Sequence, residues 1–130
     1  DNLQTTFSYD KQLCLLGFTD QVSLLMDASD VIFTKPGGIT STEAIVKNIP
    51  IVHTAPIPGL ENYNARFFHN HGLSYHSNDT NQQVAIAMRL CEDKAFRNRM
   101  LQQQRLNSNP HTSDDVIDLI LNKQEIAYEE

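Results

Sequence analysis

The chain has only two cysteines, Cys14 and Cys91, and no Cys-x-x-Cys pair. That excludes the small zinc modules built on paired thiolates. Cys14 sits in an apolar run and Cys91 in a helical stretch, so two buried thiols in a reducing cytosol are expected, with a disulfide as the alternative. Positive charge is scarce: 10 Lys and Arg stand against 16 Asp and Glu, a formal charge of −6. No basic stripe is available to neutralise phosphates along a nucleic acid. No apolar run approaches the roughly 20 residues that span a bilayer, and no basic-then-apolar start resembles a signal peptide. The chain begins at Asp1 rather than Met, so a fragment or a processed form is expected. There is no Asp-x-Asp metal motif. Asp27-Ala28-Ser29-Asp30 has the wrong spacing and precedes a strand rather than following one. What is present is ordinary: 130 residues, 40% hydrophobic and 20% charged, enough for one domain with a real core.

The pattern along the chain alternates strand and helix. Leu13 to Leu16 is a continuous apolar run ending at Gly17, which predicts a buried strand. Asp20 can cap a short helix with apolar positions at Val22, Leu25 and Met26. Val31 to Thr34 predicts a second strand, followed by a helix from Ser41 to Lys47. Asn48 suits a left-handed stop, and Pro50 can begin a strand but not extend a helix. Ile51 to His53 is the third strand, and the Pro-rich loop from Ala55 to Gly59 cannot be regular structure. A helix from Asn62 to His71 stops at Gly72, and Leu73 to His76 forms a fourth short strand. Helices over Thr80–Glu92 and Lys94–Arg105 follow, then a break at Asn109-Pro110. Residues 106–130 form a helical tail, its helix capped near Ser113 and running to Leu121, with fraying beyond. Such alternation predicts an α/β domain, Rossmann-like and three-layered, with a parallel sheet. Ligands in such sheets bind at the carboxyl ends of the strands. The loops leaving those ends are Gly17–Asp20, Lys35–Thr40 and Thr54–Asn62.

The second of these loops, Thr34-Lys35-Pro36-Gly37-Gly38-Ile39-Thr40-Ser41-Thr42-Glu43-Ala44, is the most informative stretch. Adjacent glycines at a strand-to-helix junction let the backbone approach something bulky. The first turn of the helix offers free N–H groups and a positive dipole end to an anion. Glu43, a turn further on, repels an anion but can accept hydrogen bonds from sugar hydroxyls. An anion beside a diol is the chemistry of a nucleotide-sugar.

Four segments in order carry a resemblance: Gly17-Phe18-Thr19-Asp20, Ala28-Ser29-Asp30, the Thr34–Ala44 run, and Pro56-Ile57-Pro58-Gly59-Leu60-Glu61-Asn62-Tyr63-Asn64-Ala65. The series resembles the C-terminal half of GT-B glycosyltransferases of the family 28 type, over residues 13–105. It is most similar to the diacylglycerol glucosyltransferases and monogalactosyldiacylglycerol synthases, relatives of the peptidoglycan GlcNAc transferase. The resemblance implies a UDP-sugar donor, UDP-glucose or UDP-galactose, a diacylglycerol acceptor and no metal cofactor. It implies that Phe18 and Thr19 hold the uracil ring, and that Gly37, Gly38, Ile39 and Thr40 hold the diphosphate. Glu43 would bind the ribose, Glu61 and Asn62 would meet the donor hexose, and Asn64 would help fix their loop. Enzymes of this type carry the acceptor site and the catalytic base in an N-terminal domain. They also have two further strands between those matching residues 13–16 and 31–34. The resemblance therefore places this chain in the cytoplasm, reaching a membrane only through that other domain. It implies no catalytic residue here. Two other readings stay open: a non-catalytic nucleotide-sugar-binding subunit of a split transferase, and a UDP-sugar epimerase.

Plainer readings stand beside the sharp ones. Thr40-x-x-Glu43 also fits a capping box. Lys35 can be a solvated side chain, and Glu61 a first-turn carboxylate beside its own helix dipole. His53 ends a strand at the functional rim, where it either packs or contacts the donor. Ser41 has no His–Asp arrangement that would make it a nucleophile. His69 and His71 are two apart, a poor metal pair on a helix. Tyr63, Phe67 and Phe68, and likewise Val84, Ala87, Met88 and Leu90, read as core. Asp114 and Asp115 fit a helix first turn.

Overall fold

The computed structural model describes Thr6 and residues 10–126. Among these, three parallel strands alternate with helices. The elements are α1 (Val22–Asp27), β1 (Ile32–Thr34), α2 (Gly38–Val46), β2 (Ile51–His53), α3 (Leu60–Asn70), β3 (Tyr75–His76), α4 (Thr80–Glu92), α5 (Lys94–Asn107) and α6 (Thr112–Ile126). The sheet order is β1-β2-β3. Ile32, Phe33 and Thr34 pair with Ile51, Val52 and His53, and Val52 and His53 pair with Tyr75 and His76. The domain is α/β and Rossmann-like.

β2 is central, and all three of its residues are buried. Successive side chains on a strand point to opposite faces. Ile51 accordingly packs with Ala44, Ile45, Phe68 and Leu73 beneath α2 and α3. Val52 packs with Ala87, Leu90, Phe96 and Met100 beneath α4 and α5. Two cores on two faces make the three layers.

α2 and α3 end alike. Asn48 takes a left-handed φ of 58° and Gly72 one of 68°. The N–H groups of Ile49 and Leu73 then reach back to the carbonyls of Ala44 (3.0 Å) and Phe68 (2.8 Å), closing the Schellman bond of each helix. Gln104 of α5 is fully buried. Its Nε2 donates to the carbonyls of Ile49 at 2.9 Å and Leu73 at 3.0 Å, while its Oε1 accepts from Asn48 at 3.1 Å. One amide thus ties both helix ends to the far layer.

The structure corrects several expectations. Leu13 to Leu16 is not a strand, and its leucines are exposed. A strand needs a neighbour to satisfy its N–H and C=O groups. β1 is an edge of the described sheet, and the run pairs with nothing in it. Among the described residues three strands therefore stand where four were expected. Both cysteines are free and exposed rather than buried. α1 has Gln21, not Asp20, at its N-cap, and only Met26 of its apolar residues is buried. α2 begins at Gly38, three residues before Ser41, because Gly37 is already the extended cap residue. α6 runs past Leu121 to Ile126, with Val116, Ile117, Leu119, Ile120 and Leu121 exposed; the expected fraying at 127–130 lies outside the described residues. Tyr63, Phe67, Val84 and Met88 are exposed, whereas Phe68, Ala87 and Leu90 are core. Each exposed member sits on the helix face turned from the sheet. Among the described residues no helix is long and apolar enough to cross a membrane.

Candidate functional site

The carboxyl ends of β1 and β2 lie side by side, and the ladder continues past them through Thr54 N–H to the Thr34 carbonyl at 2.9 Å. The loop after β1 therefore faces the loop after β2. The first loop turns tightly: Gly37 N–H bonds to the Lys35 carbonyl at 2.7 Å. Gly37 then caps α2 with φ −75° and ψ 145°, angles open to any residue. Glycine is not required by conformation here. Both positions face open space, since a Cβ on either meets no protein atom within 4 Å.

The first helical rung runs from Ser41 N–H to the Gly37 carbonyl at 3.3 Å. No side chain caps α2. The amides of Gly38, Ile39 and Thr40 are the first-turn donors that have no carbonyl one turn back. Gly37's own amide is taken by Lys35, so the donor set is Gly38 to Thr40 rather than Gly37 to Thr40. Thr40 is the third helical residue, not the cap, so Thr40 and Glu43 do not form a capping box. Gly38, Ile39, Thr42, Glu43, Val46 and Lys47 line one open groove of about 720 Å³. These residues form one face along α2, so Gly38 and Ile39 of the first turn and Glu43 border the same, mainly apolar groove. Thr40 lines a different space, an apolar cleft of about 190 Å³ shared with residues of α1 and β1, among them Leu25, Met26 and Phe33. Lys47 is held by Asp27 at 2.6 Å and acts as a strut between α1 and α2. Lys35 is exposed.

The second loop is tied to the first. Asn64 Nδ2 donates to the Pro36 carbonyl at 3.0 Å, so Asn64 anchors the glycine loop rather than its own. Gly59 takes φ 116° and ψ −129°, a conformation that glycine tolerates and a β-carbon does not. Glu61 Oε2 accepts from the Ile57 N–H at 2.7 Å, fixing the Pro-rich turn. Asn62 lines a cleft of about 410 Å³ with Gly59, Tyr63 and Arg66. Arg66 went unnoticed in the sequence; its only signal is its place one turn after Asn62. Phe18 is fully exposed, and the Thr19 hydroxyl accepts from Gln21 N–H at 3.1 Å. Neither lines the groove with Glu43.

Beneath the rim lies a buried polar cluster that the sequence did not signal. His53 is fully buried. Its Nε2 is 2.9 Å from Ser41 Oγ and its Nδ1 is 2.9 Å from Ser74 Oγ. Burial, with a smaller push from His76, lowers the imidazole from 6.5 to about 4. His53 therefore packs, and Ser41 has a histidine but no carboxylate behind it and no access to solvent. His69 and His71 are exposed. Among the described residues no cluster of three His, Cys, Asp or Glu could hold a metal.

These features define a Rossmann-like α/β domain with an uncapped helix start and a carboxylate on one open rim. The chain belongs to the family described as "Protein of unknown function (DUF354)", which it matches over residues 7–125. It is also similar to curated proteins named processive diacylglycerol beta-glucosyltransferase. The protein of Bacillus pumilus (strain SAFR-032) is 29% identical over 119 residues, covering 92% of this chain and 31% of the relative. That of Staphylococcus carnosus (strain TM300) is 30% identical over 103 residues, covering 79% and 26%. The chain is related to glycosyltransferases and spans less than a third of these relatives' length.

Proposed function

We propose that this chain is the donor-binding part of a glycosyltransferase of GT-B type, its C-terminal half, which transfers a hexosyl group from a UDP-sugar to a lipid, diacylglycerol being the acceptor. The observation that carries the reading is the uncapped first turn of α2, with Glu43 further along the same groove. The amides of Gly38, Ile39 and Thr40 hold the diphosphate, Glu43 takes the ribose hydroxyls, and Asn62 with Glu61 borders the sugar. Phe18 and Thr19 close on the uracil. The acceptor hydroxyl attacks the anomeric carbon, the bond to the phosphate oxygen breaks, and its electron pair leaves with UDP. Negative charge grows on that phosphate. A helix start stabilises such charge by about 0.3–1 kcal/mol when exposed and up to ~2 when partly buried, with aligned backbone donors adding preorganised stabilisation. No metal is required in this scheme, and the base that takes the acceptor proton comes from a domain outside this chain. The chain alone binds donor weakly and does not turn over.

Calorimetric titration tests this. UDP should bind, GDP should bind less well, and Glu43→Gln should weaken UDP. Equal affinity for the two nucleotides would remove the uracil assignment. An unchanged UDP affinity in Glu43→Gln would remove the ribose assignment.

A further inference from the structure

We infer that His53 is a positioning residue: through Ser41 it holds the first turn of α2, the turn offered to the donor phosphate. The inference rests on the donor reading above for its functional meaning. His53 closes β2 at the carboxyl edge of the sheet. Ser41 and Ser74, on either side of it, are both buried. A neutral imidazole has one donor and one acceptor nitrogen. With both serines at 2.9 Å, one hydroxyl accepts and the other donates, and both ring nitrogens are used.

Ser41 sits on the first rung of α2. Its neighbour shows what a hydroxyl does there without a partner: Thr42 Oγ1 donates to the Gly38 carbonyl one turn back, at 2.7 Å. Such back-bonding bends helices. The Ser41 hydroxyl is instead engaged by the His53 ring. The tie runs from the sheet to the turn that carries the free amides, so the helix start is referenced to β2. Phe68 of α3 packs on the ring at 5.4 Å between centroids, which fixes the ring plane. Thr34 faces His53 in the β1 register and does not titrate. The titratable neighbour is His76 of β3, whose Nδ1 lies 3.3 Å from the His53 carbonyl oxygen.

The test is an isotope-labelled titration of the full chain followed by NMR, with UDP calorimetry alongside. Protonating His53 makes both ring nitrogens donors, so whichever serine donates to the neutral ring must turn its hydroxyl, and in either tautomer Ser41 then faces a charged ring. The amide signals of Ser41 and Thr42 should shift with the His53 ring and with the same midpoint. In Ser41→Ala those amides should stop following the ring, and UDP affinity at neutral pH should fall about fivefold, the factor for one hydrogen bond. Ser74→Ala should leave UDP affinity within twofold. The inference is overturned if the α2 amides ignore the His53 ring. It is equally overturned if Ser41→Ala binds UDP as the wild type does. Should acid unfold the chain before the ring titrates, amide exchange in Ser41→Ala at neutral pH decides: faster exchange confined to the α2 first turn supports the tie, and unchanged exchange removes it. A wild-type chain that ignores UDP refutes the donor reading, while the amide and ring signals still decide whether His53 positions the turn.

Discussion

Protonation of His53 should destabilise this domain in acid. His53 is neutral when folded because burial holds its imidazole near 4 rather than 6.5. The unfolded chain exposes the ring and protonates it near 6.5. Between those two values the unfolded state binds the extra proton, so stability rises with pH across that window. The contribution is complete above 6.5, declines as pH falls, and is gone below 4. A difference of that size corresponds to about 3–4 kcal/mol, at about 1.4 kcal/mol for each pH unit. A domain is stable by only about 5–15 kcal/mol in total, so the effect is large. Urea unfolding across this pH range measures it, with His53→Gln as the reference. The glutamine variant is less stable at neutral pH, but its midpoint lacks the His53 component. Subtracting the two curves removes the background from other titrating groups, on the assumption that the substitution leaves them undisturbed. A difference curve that is flat between 6.5 and 4 would refute the reasoning. So would an NMR midpoint for the His53 ring near its ordinary value.

Gly38→Ala should leave the melting temperature unchanged or slightly raised, because the new Cβ meets no protein atom within 4 Å and alanine favours helix. The same variant should lose UDP in calorimetry, since the methyl occupies the space beside the first-turn amides; retained affinity would move the phosphate elsewhere. Gln104→Leu should cost at least ~2 kcal/mol in urea unfolding, because it strands two buried carbonyls. Gly72→Ala should cost about 1 kcal/mol or more, since φ is 68° and the Cβ would lie 3.1 Å from Gln103 Cγ. Asn64→Ala should weaken UDP more than it lowers the melting point, because it frees the Pro36 carbonyl and with it the glycine loop.

Local chemistry was legible in the sequence wherever it decides structure alone. The alternation of short apolar runs with helical stretches indicated a parallel α/β domain. Asn48 and Gly72 marked helix ends because few residues accept a left-handed φ. The bounds of β2 and α4 were read correctly, since apolar runs and breakers bracket both. The double glycine foretold a strand-to-helix junction, and α2 begins there. Tertiary structure alone decided the rest. Leu13–Leu16 has a strand's composition, but a strand exists only with a neighbour to bond, and the described sheet supplies none. Asn64 turned to the Pro36 carbonyl because the ends of β1 and β2 stand side by side, while Glu61 turned to the Ile57 amide four residues back in its own loop. Ser41, His53 and Ser74 are remote in sequence and carry no shared motif. Only the packing of α2 on β2 and the approach of the chain entering β3 bring a hydroxyl to each ring nitrogen, and hydrogen bonds between side chains far apart in sequence leave no periodic trace to read.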